Sequence, residues 1–130
     1  AFAPRVRELT GGEGVAVVYD GVGQATFAGS LDSLRPMGMM VSFGNASGPV
    51  APVDLIQLSQ KGSLFITRPT LMSYTAKRED LVALGAALFE VVANGQVKIE
   101  VHQRYALRDA AQAHRDLEAR KTTGSTVLVP

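Results

Sequence analysis

Two short glycine-rich stretches hold the residues of this sequence best suited to binding a ligand. Gly21-Val22-Gly23 follows one apolar run, and Gly44-Asn45-Ala46-Ser47-Gly48 follows the next. Glycine permits positive φ and lets a ligand approach the backbone closely. Asn45 and Ser47 add donors and acceptors suited to an amide or a ribose. The same composition is common in ordinary strand-to-helix turns, which is the interpretation that spacing alone favours.

The isolated titratable residues predict structural roles. His114 lies at helical spacing with Ala110 and Leu117, so its ring is expected to pack on a largely apolar face rather than to move protons. His102 falls in a strand without a carboxylate motif, and two separated histidines do not predict a zinc site. Asp20 ends an apolar run, where a carboxylate usually forms a turn or a cap.

Three basic residues have two interpretations each. Arg120 and Lys121 follow a helical pattern, where cations complement the helix dipole. Alternatively, they contact a phosphate or the nicotinamide end of a cofactor. Arg68, directly before Pro69, is either a surface charge or a ligand contact.

Several catalytic motifs are missing from the sequence. No tyrosine has lysine four residues later, and no serine stands in Gly-x-Ser-x-Gly. Gly11-Gly12-Glu13-Gly14 lacks the Lys-Ser/Thr pair of a phosphate-binding loop. The residues therefore indicate no complete catalytic set, and the catalytic residues stay unknown.

The glycine-rich stretches must be positioned by a parallel sheet. Apolar runs predict three strands, at Val15–Tyr19, Met39–Phe43 and Leu64–Thr67. The first is of the kind that is buried on both faces of a parallel sheet, and the second is also expected to be buried. A helix ending near Val6, Leu9 and Thr10-Gly11-Gly12 is expected before the first strand. Between the strands, we expect one helix through Phe27, Leu31 and Leu34 that ends at Arg35-Pro36-Met37-Gly38, and a short helix through Leu58 that Asp54 caps.

The second part of the chain predicts a long helix and a strand–helix–strand segment. Leu81, Leu84, Leu88 and Val91 share a helix face that ends at Asn94-Gly95. Val97–Val101, Asp109–Arg120 and Ser125–Val129 follow as strand, helix and strand. The fold class is α/β: the C-terminal half of a Rossmann-like parallel sheet with flanking helices, plus that segment. Residues 1–96 are assigned to the dinucleotide-binding half and residues 97–130 to the segment.

Composition limits the function classes. The 130 residues are 46% hydrophobic, which is enough for the core of one ordinary domain. Net charge is +1 with no basic block, so no nucleic-acid surface is expected. No apolar run reaches membrane-spanning length. The absence of cysteine fits a cytoplasmic protein, without disulfides or thiolate metal ligands.

Four segments together resemble a known family. They are VVYDGVG (17–23), SLDSLRPMGMMVSFGNASG (30–48), LSQKGSLFITRPTL (58–71) and YALRDAAQAHRDLEARKTTGSTVLV (105–129). In this order they resemble the zinc-independent, zeta-crystallin-like quinone oxidoreductases of the medium-chain dehydrogenase/reductase superfamily. FGNASG and KGSLFITRP are specific to that branch, whereas AHRDLEARKTTG is shared across the superfamily.

The resemblance implies a C-terminal part of an NADPH-dependent, metal-free enzyme that transfers a hydride to a quinone. The family's glycine-rich pyrophosphate loop and substrate domain precede the matching segment, so the isolated chain is expected to bind NADPH weakly or not at all and to be inactive alone. The alternatives are another zinc-free enoyl or alkenal/one reductase of the superfamily, or a non-catalytic self-associating module. The resemblance also implies a homodimer through the edge strand Leu64–Thr67, and no nucleic-acid or membrane partner.

The resemblance assigns cofactor contacts residue by residue. The positions matching the family's cofactor loops are Val22, Gly23, Phe43, Gly44, Asn45, Ala46, Ser47, Gly48, Arg68, Pro69, Thr70, Leu71 and Arg120. Thr67 stands directly before the third of these groups. No metal ligand is expected.

Overall fold

A computed structural model describes residues 2–130 of the chain, which divides into two compact units, Ala1–Thr75 and Ala76–Pro130. Each unit is described by itself. The expected division at residue 96, which refers to the domains of a complete enzyme, stays a prediction. None of the described helices combines the length and the apolarity that crossing a membrane requires.

The first unit is a three-stranded parallel sheet with helices, as the apolar runs predict. The strand order is β1-β2-β3. Its elements are α1 (Ala3–Leu9), β1 (Val15–Asp20), α2 (Phe27–Asp32), β2 (Leu34–Ser42), α3 (Ile56–Gln60), β3 (Phe65–Thr67) and α4 (Leu71–Tyr74). The predicted α/β fold class and the parallel strand direction are confirmed.

The boundary between α2 and β2 differs from the prediction. Helix α2 ends at Asp32, and Leu34 already belongs to β2 rather than to the helix. Val15 faces Leu34 and Val17 faces Met39, so β2 carries a bulge of several residues. Pro36 has no N–H to donate, and Met37 has a φ of 56°. The residues predicted to end a helix therefore interrupt a strand instead.

The core of the first unit lies beneath β2. Four buried side chains, Leu31, Leu34, Met40 and Leu64, form one cluster, and partly buried apolar residues such as Val18 pack around it. The prediction that the first strand is buried on both faces is wrong for this structure. Val17 and Tyr19 are exposed, because no element described here covers their face of the sheet.

The helix before the third strand agrees with the prediction for Asp54. From one position before the N-cap Leu55, the Asp54 carboxylate accepts the N–H of Ile56 (3.0 Å), the first residue of α3, which runs through Leu58 to Gln60. Strand β3 begins at Phe65, one residue later than predicted.

The second unit contains the predicted long helix and a two-stranded parallel sheet. Its elements are α5 (Arg78–Ala93), β4 (Val101–Ala106), a 3₁₀ turn (Leu107–Asp109), α6 (Ala110–Glu118) and β5 (Ser125–Val129). The strand prediction over residues 97–100 is wrong. The Val97 N–H still bonds to the Val91 carbonyl (2.9 Å) at the end of α5, and residues 98–100 form a connection without regular structure before β4. The predicted last strand is confirmed in full.

Candidate functional site

The two glycine-rich stretches meet at the carboxyl ends of β1 and β2. We call residues 21–26 the first loop and residues 43–48 the second loop. Asp20 and Ser42, the last residues of the two strands, are register partners in the parallel pair. The loops that follow them therefore leave the same edge of the sheet, where ligands of open α/β sheets bind.

Backbone hydrogen bonds join the two loops. The Ser47 N–H donates to the Val22 carbonyl (2.8 Å), and the Gln24 N–H donates to the Gly48 carbonyl (3.1 Å). A longer bond of 3.3 Å links the Ala46 N–H to the carbonyl of Gly21. The loops thus form one connected surface rather than two independent turns.

Two glycines allow this close approach. Gly23 has a φ of +86°, and a Cβ there would lie 2.7 Å from the Gly48 carbonyl oxygen. A Cβ on Gly44 would overlap the carbonyl of Gly21. Both positions require glycine for contact between the two backbones, a requirement that neither loop shows when it is considered alone.

The Ser47 hydroxyl is used between the loops. It donates to the Val22 carbonyl (2.8 Å) and accepts from the Ala25 N–H (2.9 Å). Its single donor is therefore engaged, and one acceptor lone pair remains. In the second loop, the Asn45 and Phe43 side chains are exposed, and the Phe43 ring lies against Gly21.

A buried carboxylate lies beneath the first loop. Asp20 is 4% exposed. Its Oδ1 accepts hydrogen bonds from the N–H groups of Val22 (2.8 Å) and Gly23 (2.9 Å). Its Oδ2 accepts from the hydroxyls of Thr26 (2.8 Å) and Ser30 (2.7 Å). The predicted turn at Asp20 is confirmed, and the carboxylate also reaches α2.

These hydrogen bonds keep the carboxylate ionised. Burial alone would raise the pKa of Asp20, but the Gly23 N–H, the Ser30 and Thr26 hydroxyls and the Val22 N–H together hold the pKa below its ordinary value. The result is a fixed negative charge under the loop, with all its polar partners inside the protein.

Arg68 holds the second loop from the side of β3. Its Nη1 donates to the Ser42 carbonyl (3.1 Å), the Ser42 hydroxyl (3.2 Å) and the Gly44 carbonyl (3.2 Å). Among residues 2–130, no carboxylate forms an ion pair with Arg68. Its positive charge at the carboxyl edge of the sheet is therefore available to an anion.

The first unit contains three groups of predicted cofactor residues. Two of these groups lie together, and the third leads away from them along the chain. Val22–Gly23 and Phe43–Gly48 share one surface, and Arg68 is bonded to it. Pro69, Thr70 and Leu71 run on from Arg68 into α4, with Thr70 and Leu71 exposed. Arg120 belongs to the second unit, where it follows α6 with a φ of 56°.

Three residues of the site were missed by reasoning from the sequence. Thr26 and Ser30 complete the Asp20 network, and Ser42 receives Arg68. The spacing Asp20, Gly23, Thr26, Ser30 contains a usable signal, because hydroxyls one turn apart on α2 both face the preceding strand end. Their role depends on the helix packing back onto β1.

The histidines lie outside this site. The His102 Nδ1 is 3.0 Å from the Thr123 hydroxyl, and exposed His114 borders a small cavity of about 160 Å³ with Leu117 and Leu128. Over residues 2–130, no three histidine, aspartate or glutamate side chains gather closely enough to hold a metal ion.

Comparisons with known proteins agree with the resemblance noted from the sequence. A quinone oxidoreductase of Pseudomonas aeruginosa is 56% identical over 98% of this chain. The crystal structure of Escherichia coli quinone oxidoreductase complexed with NADPH is 48% identical, with a TM-score of 0.91 over 100% of this chain. A 2-haloacrylate reductase of a Burkholderia species is 45% identical over 99% of this chain.

These matches cover only part of each relative. This chain spans 39% of the Pseudomonas aeruginosa protein, 40% of the Escherichia coli chain and 39% of the Burkholderia reductase. The resemblance to quinone oxidoreductases and the Rossmann-like fold are confirmed over the matched part. A family model described as zinc-binding dehydrogenase matches residues 1–128, and the chain therefore belongs to that family.

Proposed function

We propose that this chain supplies part of the NADPH site of a quinone oxidoreductase, in which a hydride passes from the nicotinamide to a quinone. The observation that carries the proposal is the surface formed by the first and second loops at the carboxyl edge of the sheet. Support comes from a relative with 56% identity that is named a quinone oxidoreductase, and from a neighbour solved with NADPH.

The residues of this surface fit a nucleotide cofactor. Gly23 and Gly44 let the two loops pack into one surface, and the exposed Asn45 amide on it offers both donors and an acceptor. Arg68 provides a positive charge without a carboxylate partner among the residues described. When bound, NADPH would supply the hydride, whereas these residues would orient it and limit its motion.

The proposed cofactor contacts are the ones the resemblance assigns. They are Val22, Gly23, Phe43, Gly44, Asn45, Ala46, Ser47, Gly48, Arg68, Pro69, Thr70, Leu71 and Arg120. Because the Ser47 hydroxyl donates to the Val22 carbonyl, its proposed contact is through the remaining lone pair or the backbone. Residues 1–96 are proposed to form the nucleotide-binding part and residues 97–130 a segment returning to a substrate domain. A cytoplasmic location is part of the same proposal.

A chimera tests the proposed activity. Residues 1–128 of this chain replace the matching part of the Pseudomonas aeruginosa quinone oxidoreductase, and NADPH oxidation is followed with 1,4-benzoquinone as acceptor. We expect a folded chimera with quinone-dependent activity. A folded chimera that binds NADPH but does not reduce the quinone would contradict the proposed function. Calorimetric titration of the 130-residue chain alone is expected to detect only weak NADPH binding, and a low-micromolar Kd would contradict that expectation.

The second candidate function is reduction of an activated carbon–carbon double bond. The 45% identity with a 2-haloacrylate reductase favours it. Both reactions place a hydride on a conjugated acceptor, so the loops described above suit either substrate. The chimera is assayed with 2-chloroacrylate beside the quinone, and a higher kcat/KM with 2-chloroacrylate would favour the second candidate.

The proposed partner is a second copy of the chain, bound through β3. This strand is at the edge of the sheet, and Phe65 on it is 56% exposed. An exposed apolar edge strand favours pairing with another strand. Light scattering on the chimera, with Phe65→Lys as the variant, is expected to show a dimer that the substitution dissociates. A dimer that survives the substitution unchanged would contradict pairing through this edge.

A further inference from the structure

The Asp20 carboxylate is placed to control the loop without touching a ligand. At 4% exposure it is covered by the first loop and α2. One carboxylate oxygen binds the N–H groups of Val22 and Gly23, and the other binds the hydroxyls of Thr26, the N-cap of α2, and Ser30 within α2. The peptide groups of the first loop are thereby fixed relative to a helix that is anchored in the core.

The orientation of those peptide groups determines the second loop. The Gly23 N–H and the Val22 carbonyl belong to one trans peptide, so directing this N–H at Asp20 presents the carbonyl to the Ser47 N–H and hydroxyl (both 2.8 Å). In the preceding peptide, the Val22 N–H is directed at Asp20 and the Gly21 carbonyl accepts the Ala46 N–H (3.3 Å). Rotation of these two peptides away from Asp20 would remove both links to the second loop.

We propose that Asp20 is a positioning residue for the surface formed by the two loops. Its carboxylate selects the one orientation of these two peptides in which their carbonyls, Gly21 and Val22, accept the Ala46 and Ser47 N–H groups of the second loop. Hydrogen bonds to an ionised acceptor are about twice as strong as neutral ones, so this orientation depends on the charge. The inference deepens the proposed function, because it concerns the same NADPH surface.

Amide hydrogen exchange on the 130-residue chain tests the inference without NADPH. The variant is Asp20→Asn, which keeps the size of the side chain and removes its charge. The matched control is Asp32→Asn, an exposed carboxylate that pairs with Lys61 on the surface. We expect the Ala46 and Ser47 amides of Asp20→Asn to exchange about tenfold faster, with the β2 amides and all control amides unchanged.

The alternatives give different patterns. Equal acceleration in the loops and in β2 would mean that Asp20 serves only global stability, and unchanged loop amides would mean that it does not hold the loops. Either result overturns the inference. If Asp20→Asn does not fold, Ser30→Ala removes one donor to the carboxylate, and acceleration confined to the loops is expected there too; a uniform response would overturn the inference.

NADPH binding by the chimera then separates the inference from the proposed function. We expect Asp20→Asn to weaken NADPH binding about tenfold. Asp20→Ala should weaken it further, because alanine removes the hydrogen-bond acceptor as well as the charge. If the unsubstituted chimera binds no NADPH, the proposed function fails, while the exchange result still decides the role of Asp20. If Asp20→Asn accelerates exchange only in the loops but leaves the NADPH affinity unchanged, the inference that Asp20 positions the cofactor surface is overturned.

Discussion

Replacing Gly23 with alanine tests whether the junction between the loops depends on close backbone contact. The substitution adds a Cβ at a residue with a φ of +86°. That atom would lie 2.7 Å from the Gly48 carbonyl oxygen, a backbone atom that cannot rotate away as a side chain can. The second loop must therefore shift, and the Gln24–Gly48 hydrogen bond lengthens or breaks.

The matched control is Gly12→Ala. Gly12 has a φ of +90°, and a Cβ there would meet no atom within 4 Å. Both variants carry a similar cost for the left-handed backbone, about 1–2 kcal/mol, and a similar change in the unfolded chain. Their difference isolates the contact with Gly48. Strain from the added methyl group and the weakened hydrogen bond together predict about 2 kcal/mol more destabilisation for Gly23→Ala.

Urea unfolding followed by far-ultraviolet circular dichroism measures this difference, since the chain contains no tryptophan. We expect the midpoint of Gly23→Ala to fall well below that of Gly12→Ala at an unchanged slope. Free energies of unfolding for the two variants that agree within about 0.5 kcal/mol would refute the reasoning. That outcome would mean that the second loop moves freely enough to admit a side chain.

Three further predictions concern charge and packing. The pKa of Asp20 in the folded protein is below its ordinary value of 3.8, so the carboxylate stabilises the fold above about pH 4, and this stability is lost as pH falls through the folded pKa. Asp20→Asn should therefore reduce the difference in free energy of unfolding between about pH 7 and about pH 3. An unchanged difference would contradict this prediction. Leu34→Ala, at a fully buried site, should lower the free energy of unfolding measured in urea by about 2–5 kcal/mol. The control Leu55→Ala, at an exposed site, should lower it by about 0.5 kcal/mol or less. Equal losses for the two variants would show that Leu34 is not a core residue. Arg68→Gln should weaken NADPH binding by the chimera about tenfold in calorimetry. The control Arg35→Gln, which removes a surface partner of Glu13, should leave the affinity unchanged. Equal affinities for the two variants would exclude Arg68 from the site.

The elements that the sequence predicted well are those defined by local composition. The apolar run at Val15–Tyr19 predicted β1, and Ser125–Val129 predicted β5 without error. Asn94-Gly95 indicated the end of α5 for a local reason as well, since glycine leaves the helix with positive φ. These predictions succeeded because each depends on neighbouring residues only.

The errors have a common physical cause. Alternation of apolar and polar residues over 97–101 resembles a strand, but the Val97 N–H bonds to the end of α5 and the strand begins only at Val101. Leu34 has helical spacing with Leu31, yet it pairs with Val15 in the sheet. In both places, tertiary contacts outweighed a local pattern that was compatible with two structures.

The sequence by itself determined the family, the parallel direction of the strands and the two glycine-rich loops, because apolar runs and glycines carry this information locally. Only the tertiary structure decided what the loops do to each other. The Ser47 hydroxyl reaches Val22 from 25 residues away, and Arg68 reaches Ser42 from 26 residues away. The Asp20 carboxylate meets Ser30 because α2 packs back against β1. These contacts follow from the parallel register, which brings distant strand ends to one edge of the sheet.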